Sequence, residues 1–238
     1  MTGPEVYPLP GLRDPVSAAS HFLAAAVFFV LGVRLLRRGR GDAVRLAFLG
    51  VYAGSCVLLM LTSGAYHTVA VGGAAHGLLL RLDHGLIFIL IAGTFTAAHG
   101  LLFRGAMRWG PLALVWSAAL AGVTLKTAYF EQTPEWLGLS FYLALGWFGA
   151  VSGCILWARY GFDFTLPLLL GGIAYSVGAV ADFNRWPNPI PGVVNAHELF
   201  HLAVVAGALF HWSFVWRIAD GSAPPEREVA PRPDAPLA

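Results

Sequence analysis

Charge is what this chain of 238 residues has least of. Only 12% of its residues are Asp, Glu, Lys or Arg, while 57% are apolar, and the mean hydropathy is +0.67. An ordinary soluble domain carries about twice that share of charge, so a soluble architecture is excluded. The net charge of +2 gives no field suited to nucleic acid. Cysteine is also scarce. Cys56 and Cys154 fall in separate apolar runs, where they read as small apolar residues and not as a disulfide. The start of the chain lacks a basic stretch ahead of a short apolar segment and contains Pro4, Pro8 and Pro10. It does not resemble a cleaved leader, and the first apolar run is expected to be kept as a helix.

What the chain does have is a succession of apolar runs of about 18 to 22 residues, the length that spans a bilayer core. They cover residues 22–36, 46–66, 82–98, 109–127, 136–158, 164–181 and 195–216. The expected fold is all-α and integral to the membrane: a seven-transmembrane-helix bundle. A β-barrel would need short alternating segments, and these runs are continuous. Frequent Gly and Ala within them favour close helix packing. Residues 1–16 are expected to be an exposed lead-in, 17–218 the membrane domain and 219–238 a disordered, Pro-rich tail. Residues 69–77 form a Gly/Ala-rich link, and residues 182–191, with three prolines, must be non-helical.

Seven crossings put the end of the second span and the starts of the third and seventh on one membrane face. His67, Asp83, His84, His197 and His201 therefore share a depth, with His76 just outside it. His99 and His211 lie toward the other face and read as packing or interfacial residues. Arginine is unevenly divided between the faces. The face away from the histidines receives Arg34, Arg37, Arg38, Arg40, Arg45, Arg104, Arg108, Arg159 and Arg217, and the histidine face Arg13, Arg81, Lys126 and Arg185. By the positive-inside rule the histidine face and the N-terminus are extracytoplasmic.

His197 and His201 are four apart, so on a helix both imidazoles reach one point. With His67 they can offer zinc three neutral nitrogens and leave a fourth position open to water, as in catalytic zinc sites. The same ion can equally act only as a staple between helices. Asp83 is costly within a membrane unless partnered. It can serve as a general base, orient a histidine, or pair with Arg81. Ser63, four before His67 on the same face, can donate to a substrate oxygen or simply bond back to its own helix. Tyr66 reads as part of the interfacial aromatic belt. His197-Glu198-Leu199-Phe200-His201 also spells H-E-x-x-H, with Glu198 as the base of an intramembrane metalloprotease. Such enzymes take a later aspartate as third ligand, and the span after His201 contains none.

Ser63-Gly64-Ala65-Tyr66-His67, Leu82-Asp83-His84, Ala92-Gly93-Thr94-Phe95-Thr96, Lys126, Gly146-Trp147 and Pro191-Gly192 ahead of His197-Glu198-Leu199-Phe200-His201 resemble the haemolysin III family. This is the bacterial branch of the progestin and adiponectin receptor group, related to alkaline ceramidases. The resemblance implies seven helices and zinc held by three histidines, at positions matching His67, His197 and His201. It places the family's serine and aspartate on Ser63 and Asp83. Receptor members usually carry another residue in place of Glu198, which leaves Asp83 as the expected base. They also place the zinc end in the cytoplasm, opposite to the arginine count.

The expected function is a zinc-dependent hydrolase acting on a lipid amide or related acyl bond, with Asp83 and Ser63 as its catalytic residues and a membrane lipid as substrate. The alternatives are a non-enzymatic receptor, a haemolysin-like cytolysin, and the intramembrane metalloprotease. No residue pattern selects an acyl chain, a headgroup or an oligomeric state.

Overall fold

In the computed structural model, which describes residues 6–226, seven long helices follow one another. They are α1 (Pro15–Arg38), α2 (Ala43–Thr68), α3 (Ala74–Leu102), α4 (Ala106–Thr127), α5 (Glu135–Tyr160), α6 (Phe162–Phe183) and α7 (Ala196–Ile218). The shortest has 22 residues, about 33 Å of helix, enough to cross a hydrocarbon core of about 30 Å. The chain is a seven-helix membrane bundle with no sheet among the described residues.

Six helices are long and apolar enough to be spans by composition alone. The exception, α4, begins with Arg108 and Pro111 in its first turns and ends with Lys126. Its crossing is settled by its contacts with α3. Arg108 Nε donates to the Phe103 carbonyl at 2.7 Å at one end. Arg81, near the start of α3, donates to the Thr127 carbonyl at 2.9 Å at the other. The two helices therefore run antiparallel over their full length.

Local chemistry sets the helix ends. Pro15 opens α1, where its missing N–H costs nothing. Asp42 caps α2 by accepting from the Arg45 N–H. The start of α7 is a reciprocal capping box, Asn195 with Glu198. The link expected at residues 69–77 is shorter than its composition suggested, because α3 starts at Ala74. The prolines at 187, 189 and 191 keep the chain non-helical between α6 and α7, although α6 first runs on through Asp182 to Phe183.

Neighbouring helices pack as antiparallel pairs, and α1 returns against α7 to close the bundle. Phe28, Leu35, Leu49, Tyr52, Met60, Phe214 and Ile218 form the larger core, and Phe88, Phe95, Val115 and Ala119 a smaller one between α3 and α4. Close approach needs small residues. A Cβ at Gly122 would sit 2.5 Å from the Phe88 ring. The outer surface is apolar, with Leu23, Phe29, Leu58, Leu114, Leu120 and Val177 exposed, as a lipid-facing wall requires. The helix α5 is the least embedded and buries only Gly138, Leu145, Ser152 and Leu156.

Of the expected lead-in, residues 1–5 lie outside the described residues, as do residues 227–238 of the expected tail. Tyr7 and Leu9 are exposed as anticipated, but the segment is not free. The Tyr7 N–H donates to the Gly192 carbonyl at 2.8 Å, and the Asp14 N–H to the His67 carbonyl at 3.0 Å. The segment thus runs from the α6–α7 connection to the last turn of α2.

Candidate metal centre

The last turn of α2 and the first two turns of α7 meet beneath that N-terminal segment. His67, His197 and His201 each place a ring nitrogen so that all three lie within 4.8 Å of one another. The nitrogens that converge are the Nε2 atoms: His201 to His197 at 2.9 Å, and His197 to His67 at 3.5 Å. For a tetrahedral ion with metal–nitrogen distances of about 2.0–2.1 Å, the ligand nitrogens stand about 3.3 Å apart. The observed pair of distances brackets that spacing.

The opposite ring nitrogens explain why the Nε2 atoms can face one another. His67 Nδ1 is 2.7 Å from Asp14 Oδ2, and His197 Nδ1 is 3.0 Å from Asp182 Oδ1. A carboxylate only accepts, so both Nδ1 atoms carry the proton, and in the neutral imidazole each Nε2 then presents a lone pair. His201 Nδ1 faces the buried ring of His21 on α1, at 3.0 Å from its Nδ1. Lone pairs directed at a common point repel unless a cation lies between them. Partners behind each imidazole are also what fixes ring orientation at metal sites.

The Asp14 carboxyl is itself held. Burial disfavours its charge, but the hydrogen bonds to His67 and Arg13 outweigh that and keep its pKa below the usual value. Arg13 in turn lies over the Tyr66 ring at 4.4 Å. His67 and His201 are almost fully buried, whereas the His197 side chain is 41% exposed. The centre therefore opens toward one membrane face, beside His197.

The other expected site residues take clear places. Ser63 is buried one turn before His67, and its hydroxyl has no hydrogen-bond partner among the described residues. An orphaned hydroxyl one turn from a converging imidazole fits a group bound at the centre. Asp83 is half-buried and makes no side-chain hydrogen bond or ion pair among the described residues. The pairing with Arg81 is not made, because Arg81 binds the Thr127 carbonyl and Glu131. His84 bonds the Leu80 carbonyl of its own helix. His99 bridges the Met107 carbonyl and Ser152, and His211 meets the Leu168 carbonyl, so both pack as expected.

Glu198 does not face the centre. One oxygen accepts from the Asn195 N–H at 2.9 Å and the other from the Ser17 hydroxyl at 3.1 Å. The H-E-x-x-H glutamate is thus a helix cap that also anchors α1.

Asp14, His21 and Asp182 are absent from the sequence-based set. Signals pointed to two of them: His21 is an ionisable residue inside an apolar span, and Asp182 ends an apolar run on the histidine face.

Helices and centre together define a multi-pass membrane protein with a potential three-histidine metal site. Comparison with known proteins gives the family. A family model described as Haemolysin-III related matches residues 12–212. The chain is 33% identical over 187 residues to Hemolysin-3 of Bacillus cereus, covering 78% of this chain and 80% of that one. It is 31% identical over 169 residues to a Hemolysin-3 homolog of Bacillus subtilis (strain 168), covering 71% and 75%. It is 25% identical over 200 residues to the Homo sapiens protein named Monocyte to macrophage differentiation factor, covering 79% and 77%. The protein belongs to the haemolysin III family.

Proposed function

We propose that the protein is a zinc-dependent hydrolase of a lipid amide or related acyl bond, with His67, His197 and His201 as ligands. The convergence of three imidazole nitrogens, with an unpartnered Ser63 hydroxyl one turn from His67, carries this reading. All-nitrogen ligation suits zinc. Zinc bound there polarises a carbonyl oxygen and brings the pKa of a water molecule toward about 7.

The chain's own residues do the rest. Asp83 accepts the water proton as oxygen adds to the carbonyl carbon, and delivers it to the amide nitrogen as the C–N bond breaks. The products are a fatty carboxylate and an amine. Ser63 donates to the developing oxyanion. A lipid substrate is favoured by a cavity of about 320 Å³ between α3, α5, α6 and α7. Its apolar walls include Leu59, Ile87, Phe95, Leu156 and Leu168, and it reaches Phe200 and Val204, neighbours of His201 on α7. Such walls suit an acyl chain and disfavour the water-filled pore that a cytolysin would need.

A purely structural metal is the second reading. It is favoured by Asp14, His21 and Asp182, which tie the N-terminal segment, α1 and α6 to the same centre. The two readings are separated by metal analysis of the purified protein combined with hydrolysis assays on a panel of ceramides and other acyl lipids. Stoichiometric zinc with released fatty acid supports the hydrolase. Stoichiometric zinc with no hydrolysis across the panel supports the staple.

A further inference from the structure

Lys126 occupies the last turn of α4 on the histidine face. A lysine at a span's end normally extends its ammonium to the water. Lys126 instead folds inward and is only 6% exposed. Its ammonium rests on the backbone of α5 at Gly138, and a Cβ there would lie 2.6 Å from Nζ. Tyr142, one turn further along α5, flanks the same spot, and the Phe130 ring lies 5.6 Å from Nζ.

Two other cations on this face have acidic partners: Arg13 pairs with Asp14, and Arg81 with Glu131. Among the described residues Lys126 makes no hydrogen bond and no ion pair. Glu135 acts on it only from beyond ion-pair distance. An ammonium drawn away from bulk water without a counter-charge is poorly solvated, and the placement suits an anion. The Nζ atom is not among the buried polar atoms sealed off inside the protein, and the helix it rests on is the least embedded of the seven. The helices α4 and α5 are only loosely packed against each other, and the Lys126 end of that seam is at the level where headgroups lie.

We propose that Lys126, seated on Gly138, binds the phosphate group of a phospholipid headgroup of net negative charge, one not neutralised by a choline, entering between α4 and α5. The proposal is independent of catalysis at the histidine centre and needs no turnover.

The test uses the full chain in phosphatidylcholine nanodiscs, with or without phosphatidylglycerol, and in phosphatidylcholine with inorganic phosphate added. Retained lipid is read by native mass spectrometry and stability by thermal unfolding. The wild type should retain phosphatidylglycerol over phosphatidylcholine by about tenfold, the scale of one charged hydrogen bond. Lys126→Met, which keeps the apolar stem, should reduce that preference to near one, and Lys126→Arg should keep most of it. Gly138→Ala, which crowds the ammonium, should fall between. A stabilisation by inorganic phosphate that Lys126→Met abolishes would assign the site to a soluble phosphate. If the wild type responds to neither probe, or Lys126→Met responds as the wild type does, the proposal fails. The wild-type arm decides the matter even if a variant does not fold, and zinc content measured on the same samples reports separately on the histidine centre.

Discussion

Asp14 and His67 are joined twice. The backbone N–H of Asp14 donates to the His67 carbonyl at 3.0 Å, and the Asp14 carboxylate meets His67 Nδ1 at 2.7 Å. One bond fixes where the N-terminal segment lies; the other fixes which way the imidazole points. A residue just ahead of the first helix thereby sets the orientation of a candidate ligand at the end of the second.

Asp14→Ala should weaken zinc binding by about 10- to 100-fold, the range typical of lost outer partners of metal ligands. Asp182→Ala should fall toward the lower end, because Asp182 is itself 36% exposed and water can replace it. Competition with a chromogenic chelator measures both. Unchanged affinity in Asp14→Ala would mean that His67 needs no orienting partner.

His67→Ala should lose stoichiometric zinc, since two imidazoles on one helix leave the tetrahedron half built. Asp83→Ala should keep most of the metal and lose turnover. Elemental analysis and lipid hydrolysis on the same samples check this pair. Wild-type hydrolysis by Asp83→Ala would remove Asp83 from the mechanism.

Glu198→Gln should separate the capping role from the protease reading. The amide oxygen can still accept from the Asn195 N–H, but its NH2 must then donate to Ser17 Oγ, which reverses that bond and leaves the Ser17 hydroxyl proton without its carboxylate acceptor. The cost should be about 1–3 kcal/mol of stability, seen as a lower unfolding temperature, with zinc content unchanged. Abolished hydrolysis in a protein of wild-type stability would instead make Glu198 the base.

Gly122→Ala should cost about 1–3 kcal/mol through overpacking. The new methyl meets the ring of Phe88, which is 1% exposed and has no free space to turn into. Thermal unfolding in detergent measures the loss, and Gly122→Ala combined with Phe88→Leu should recover part of it.

The orientation we propose puts the histidine face outside the cytoplasm, on the strength of nine arginines at the opposite face. Cysteines introduced at Arg40 and Asn188, in a background lacking Cys56 and Cys154, report it. An impermeant reagent added to intact cells should label position 188 and spare position 40. The reverse pattern would place the centre in the cytoplasm.

Composition and run length by themselves determined the bundle, because a bilayer admits few backbone solutions and the apolar runs already have the right length. Alternation of direction then determined which ends meet, and hence that His67, His197 and His201 share a face. Two decisions needed the folded chain. One is the role of Glu198, whose motif is satisfied letter by letter while its oxygens turn to Asn195 and Ser17. The other is the outer layer formed by Asp14, His21 and Asp182, and the inward seat of Lys126. These depend on side-chain direction and on contacts between segments far apart in the chain, and periodicity carries neither. Depth within the membrane is a one-dimensional property that sequence order encodes. Which nitrogen of an imidazole faces which carboxylate is a three-dimensional one, and packing alone settles it.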